Sequence, residues 1–176
     1  YNKILSEAIS SKAGEKKESA SSGVVVVFDQ ESLISPDYMP SAQDRLRFYQ
    51  ELVGATNTKD VEDIKKRIMD QFGVIDKSIE NLFLVARIRL ALSPTPIKKC
   101  VIKEGVVRFV VKKNINIKLD SFMRGLELFS NKNKHKHRFE GGVGGETNIV
   151  LENIKDINLL KTISGFAGLF SGVLID

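Results

Sequence analysis

The hydrophobic period of the chain changes at Pro94-Thr95-Pro96, and no other feature narrows the possible folds as far. Before this point apolar residues recur at helical spacing. Ser41, with Asp44 three residues later, has the form of a capping box and opens a helix whose stripe is Leu46, Tyr49, Leu52 and Val53. A second helix opens near Thr58, with Asp60, Glu62 and Asp63 in its first turns, where carboxylates favour the helix dipole. Its stripe is Val61, Ile64, Ile68 and Phe72, and Gly73 stands where a left-handed cap ends a helix. A third runs from about Asp76 to Leu92, apolar at Ile79, Leu82, Phe83, Ala86 and Leu90. The two prolines end it, because a proline disfavours helical backbone in the residue before it. Tyr49, Leu52, Ile64, Ile68, Phe72, Leu82 and Phe83 are expected to share one buried cluster.

After Pro96 the runs are short and β-branched. Ile97 to Ile102 and Val106 to Val111 flank Glu104-Gly105, the signal of a two-residue hairpin turn. A helix over Leu119 to Phe129 follows, with Leu119, Phe122, Leu126 and Phe129 on one face. Strand-like Arg138-Phe139 and Thr147 to Leu151 come next, then a last helix from about Ile154 to Phe170. Upstream, Val24 to Phe28 is a β-branched run of strand length. Ser35-Pro36 and Met39-Pro40 then force a turn. Residues 1–11 read as a short helix, and Lys12 to Gly23 has no large apolar residue, as in a mobile linker. The expected fold is α+β, an N-terminal helical half followed by short antiparallel strands and hairpins with two packing helices. The expected division is 1–23 as an incoming helix with its linker and 24–176 as the folded domain.

With 176 residues, 42% apolar and 28% charged, the chain can build a core of ordinary size. Its one cysteine, Cys100, sits in a strand-like run and cannot form an internal disulfide, as expected of a cytoplasmic protein. The start at Tyr1-Asn2-Lys3 has neither the initiating Met nor the basic and apolar regions of a signal peptide, and reads as a piece of a longer protein. Thr162 to Ile175 is apolar but shorter than the ~20 residues of a bilayer span, and glycines interrupt it. No membrane partner is expected.

The sequence offers no catalytic constellation: no nucleophile with a base, no phosphate loop and no metal-ligand set. Gly141-Gly142-Val143-Gly144-Gly145 lacks the following helix and the Lys-Ser/Thr pair of a phosphate cradle, and reads as a hairpin loop. His135 and His137 are the only histidines, too few to hold zinc. The charge is uneven: 12 of the 27 basic residues but only 3 of the 22 acidic ones lie between Lys98 and Arg138. Lys132, Lys134, Lys136 and Arg138 alternate there with Asn and His, a pattern able to contact nucleic acid, although no exposed aromatic platform for stacking bases accompanies it.

Several pieces together carry a family resemblance. Tyr1-Asn2-Lys3-Ile4-Leu5 with Glu7-Ala8-Ile9, Pro36-Asp37-Tyr38-Met39-Pro40, Arg45-Leu46 with Tyr49, and Asp70-Gln71-Phe72-Gly73 before Asn81-Leu82 follow one another in order and spacing. In these the chain resembles the C-terminal domain of the bacterial transcription-repair coupling factor. The likeness is dense from Tyr1 to about Arg89 and thin beyond it.

The resemblance implies a parent that is an ATP-dependent DNA translocase, with ATP and Mg in a motor outside this chain, and contacts to RNA polymerase, a damage-recognition ATPase and DNA. Tyr1 to Ser11 would be the helix leaving that motor. The fragment itself would be no enzyme, would need no cofactor, and would regulate by packing against the parent's N-terminal repair-protein-binding domain. The family's masking surface uses acids on the helix that ends in the Phe-Gly motif. Asp70 matches one of them, whereas Arg67 stands where the other acid is expected and Gln71 where Arg is usual. The expected partner interface is therefore Lys66, Arg67, Asp70 and Gln71, with a charge pattern that departs from the family's.

Overall fold

A computed structural model describes residues 23–175. The helix expected over residues 1–11, and the linker after it up to Ser22, lie outside the described residues. The rest divides into a helical unit, Gln30–Leu90, and a sheet unit made of Val24–Asp29 and the chain from Ala91 onward.

The helical unit contains α1 (Ala42–Gly54), α2 (Thr58–Phe72) and most of α3 (Lys77–Leu92). Ser41 caps α1 by accepting from the Asp44 amide, and Asn57 caps α2 by accepting from the Asp60 amide. Asp60 reaches back to the Thr56 amide and hydroxyl at 3.0 and 3.2 Å, and the amide bond holds its carboxyl below the ordinary carboxylate range. Asp76 caps α3 through the Ile79 amide at 2.9 Å. Gly73 ends α2 with a positive φ of 95°, but its ψ of −162° departs from the left-handed helical cap that was expected.

The predicted cluster forms. Met39, Phe48, Leu52, Val61, Ile64, Ile68, Ile79, Leu82 and Phe83 are at its centre, and Phe72 packs against it half-buried. Phe72 meets Phe48 edge-on at 6.4 Å and Tyr38 at 6.0 Å. Leu46 lies off the buried stripe, which runs through Phe48, Tyr49, Leu52 and Val53, and is 47% exposed. Arg89 is buried with no acid paired to it among the described residues. Its guanidinium donates to the Leu52 carbonyl at 2.7 Å, in the last turn of α1, where a cation favours the helix dipole.

The sheet unit holds β1 (Val25–Phe28), β2 (Ile97–Lys103), β3 (Val106–Val111), β4 (Lys136–Gly141) and β5 (Thr147–Glu152), in the order β1-β2-β3-β5-β4. Every pairing is antiparallel except β1 with β2, which is parallel and was not foreseen, since the partner of an isolated strand is not written in its own residues. Glu104 and Gly105 both take positive φ, 49° and 77°, as a type I′ turn requires. Gly105 also accepts from the Ile154 amide at 2.9 Å, and a Cβ there would stand 3.2 Å from the Ile154 carbonyl oxygen.

The remaining helices, α4 (Leu119–Asn133) and α5 (Leu159–Gly168), pack aromatics on the sheet. Phe109 of β3 stacks on Phe166 at 4.0 Å, and Phe122 lies 4.8 Å from Phe170. Gly165 lets the two helices close, because a Cβ there would meet the Phe129 ring at 2.7 Å. The last helix is shorter than expected. Asn153 turns with φ 64°, Ile154 bonds to Gly105, and a 3-10 turn at Asp156–Asn158 precedes α5. Leu119, expected on the apolar face, is 59% exposed at the first position of α4. No described helix is long and apolar enough to cross a membrane.

His135 follows the left-handed cap residue Lys134, 7% exposed against Phe129, and neither ring nitrogen has a partner among the described residues. Burial, assisted by His137, pushes its pKa below the ordinary 6.5.

Two outcomes follow from this packing. Phe83→Ala, at a fully buried position, should lower stability by about 3–5 kcal/mol, and Phe72→Ala at the cluster's edge should lower it less; urea denaturation midpoints measure both. Because the unfolded chain protonates His135 near its ordinary pKa and the folded chain only at lower pH, stability should be complete above pH 6.5 and fall as pH drops below it. His135→Phe should flatten that decline in melts recorded across the interval.

Candidate functional site

The last two turns of α2 carry all four residues expected at the partner interface, and the structure separates their roles. Lys66 and Asp70, four residues apart, share a helix face, and both are exposed. Neither makes an ion pair among the described residues. Gln71 is exposed beside them. Arg67 is engaged within the unit: it forms a two-pronged ion pair with Glu51 of α1, at 3.0 and 3.2 Å, with its guanidinium 5.7 Å from the Phe48 ring centroid. Arg67 thus fastens α2 to α1. Arg87 of α3 pairs with Glu62 and ties α2 from its other flank.

Apolar residues, invisible to the charge pattern, are exposed on this helix and just beyond its end. Met69 is 40% exposed on α2 and Val74, directly after Gly73, is 86% exposed. Tyr38 donates its hydroxyl to the Gly73 carbonyl at 2.7 Å, so the turn at Pro36–Pro40 braces the end of α2. The signal for Val74 was present in the sequence as an apolar residue after the helix stop, outside any stripe. Between α1 and α2 a shallow cleft of about 470 Å³ is lined by Glu51, Gly54, Ala55, Asp60, Asp63, Ile64 and Arg67.

The basic candidates do not form one strand-borne row. Lys132 lies in the last turn of α4, Lys134 is its left-handed cap, and only Lys136 and Arg138 are on the edge strand β4. Arg138 pairs with Glu152 and Glu140, and Glu140 also receives Arg108, whose bond is the main cause of its lowered carboxyl pKa. Lys132, Lys134 and Lys136 have no ion pair among the described residues. Of the histidines, His135 is buried, and His137 Nδ1 lies 2.8 Å from the Ser130 hydroxyl. No group of metal-ligating side chains occurs among the described residues. Gly141 to Gly145 closes the β4–β5 hairpin through a 3-10 turn, with Gly142 donating to the Glu146 carbonyl at 2.6 Å. Cys100 is buried in β2, and burial pushes its thiol pKa up.

Comparison with known proteins agrees with the resemblance in the sequence. The chain is 29% identical over 122 residues to the transcription-repair-coupling factor of Escherichia coli strain K12, a match covering 66% of the chain and 11% of that protein. It is 39% identical over 67 residues to that of Buchnera aphidicola, covering 38% of the chain and 8% of the relative. The chain thus spans about a tenth of the length of these curated relatives. Its fold is similar to a crystal structure of the C-terminal domain of transcription-repair coupling factor, with a TM-score of 0.66 at 13% identity, covering 84% of this chain and 91% of the other. Residues 28–122 match the TRCF domain, more than half of the chain, and the chain belongs to that family.

Proposed function

We propose that this chain is the regulatory C-terminal domain of a transcription-repair coupling factor and that it acts by contact. It docks through the end of α2 onto the N-terminal repair-protein-binding region of the same protein and holds the factor in a restrained state. Engagement of RNA polymerase releases it. The observation that carries this reading is the division of labour on α2. Arg67 and Arg87 are spent on fixing the helix to α1 and α3, while Lys66 and Asp70 have no ion pair among the described residues and share the helix with exposed Met69, with Val74 exposed just beyond its end. A rigid, mixed apolar and charged face of this kind suits a protein partner. ATP, Mg and the motor belong, on this proposal, to the rest of the parent, and this chain supplies no catalytic group.

A second reading rests on Lys132, Lys134 and Lys136, three cations without an ion pair among the described residues where α4 passes into β4, which could neutralise phosphates of DNA. Arg138 adds little to it, being paired to two carboxylates.

One titration separates the readings. Asp70→Lys should weaken docking to the parent's N-terminal region by about 2–5 kcal/mol, the range for breaking a desolvated charged contact, and should expose the repair-protein-binding surface of the intact factor. Duplex DNA titrated at low and moderate salt should show only weak binding. Tight, salt-steep DNA binding that is lost in a triple Lys132, Lys134, Lys136→Ala variant, with no docking of the N-terminal region, would replace the first reading by the second.

A further inference from the structure

The sheet unit contains a groove that the α2 face does not involve. It holds about 590 Å³, a size that accepts a large anchoring side chain. Its floor is Phe122 of α4, Ile149 of β5 and Phe170 after α5, and at its sides Phe139 and Ile175 are 42% and 50% exposed. One wall is fixed by main-chain pairing: Lys118 donates to the Val173 carbonyl at 2.7 Å and Ile175 to the Asn116 carbonyl at 2.9 Å, so the groove is formed before anything enters it.

The charge of the groove is one-sided. Lys112 and Lys113 stand at its mouth, exposed, and no Asp or Glu lines it. On the sheet itself three cations are neutralised, Lys98 by Glu146, Arg108 by Glu140, and Arg138 by Glu140 and Glu152, whereas Lys132, Lys134 and Lys136 at the junction of α4 and β4 are not paired among the described residues. Lys112 and Lys113 have no such partner among the described residues. An apolar floor under two uncompensated cations is complementary to an apolar side chain flanked by carboxylates. Within the groove Leu119, Phe139 and Ile175 keep apolar surface exposed, which a free small anion would leave uncovered and an extended segment would cover.

We propose that this groove docks a short acidic segment of a partner protein, with a Phe- or Leu-type side chain seated between Phe139 and Phe170 and the adjacent carboxylates held by Lys112 and Lys113. Asn114 and Asn116 at the rim supply amide groups for the segment's backbone.

The test is selection of random dodecapeptides displayed on phage against the chain of residues 1–176. Fluorescence polarisation then follows with two selected peptides on the wild type, on Lys112→Glu/Lys113→Glu and on Phe139→Asp. Selected peptides should combine Asp or Glu with Phe, Leu or Ile. Their Kd should rise tenfold or more in both variants, and affinity should fall as salt is raised, since exposed charges are screened. The lysine pair is exposed, so its variant should melt as the wild type does and isolates the charge term even if Phe139→Asp misfolds. Peptides without acids, or binding indifferent to the lysine variant, would overturn the proposal. So would sedimentation of the chain as a dimer that the lysine variant dissociates, which would make a second copy the occupant, or displacement of the peptides by duplex DNA.

Discussion

The helical unit depends on how an extended segment that belongs to no sheet satisfies its backbone. From Glu31 to Pro40 the chain lies against α1 and α3 with buried Ser32, Ile34 and Met39, yet it has no ladder partner for its amides and carbonyls. Side chains take over. Ser78 both donates to the Leu33 carbonyl and accepts from its amide, Tyr49 accepts from the Ile34 amide at 2.7 Å, Asn81 donates to the Glu31 carbonyl, and Arg45 donates to the Met39 and Pro40 carbonyls. The turn that follows holds the end of α2 through Tyr38. Much of the family resemblance rests on these residues, Pro36 to Pro40, Arg45, Tyr49 and Asn81, so the likeness has a physical content: it marks the fastening of this segment.

The helices were legible because their stripes and caps are local. Ser41, Asp60, Asp76 and Gly73 stand where the pattern put them, and the Glu104-Gly105 turn follows from two neighbouring residues. What the sequence concealed is non-local. The parallel partner of β1 lies about seventy residues away, and the shortening of the last helix depends on a bond from Ile154 back to Gly105. Exposure of Phe139 reflects the place of β4 at the edge of the sheet, which no periodicity encodes.

The candidate surfaces show the same division. A charge read from sequence has no direction, and Arg67 and Arg138 illustrate the consequence: each looks like a presented cation and each is consumed by carboxylates within its own unit. Among the described residues, Lys66, Asp70 and the lysines at the end of α4 keep theirs. The groove in the sheet unit was out of reach of sequence reasoning altogether, since its walls come from β3, α4, β4, β5 and the C-terminal segment, distant stretches that share no motif.

Strand β4 has a free edge, with amides and carbonyls that no neighbour within the sheet uses. Such an edge invites a strand from another molecule. Along β4, Lys136, Arg138 and Glu140 alternate with His137 and Phe139, and Glu152 and Arg108 bind the middle charges across the sheet. A strand from a second copy arriving here would bring its own side chains beside Lys136, Arg138 and Glu140, a charged row that favours only a partner of complementary charge. Charges carried along an edge are among the devices that blunt an open sheet against pairing with a second molecule, and β4 carries three of them.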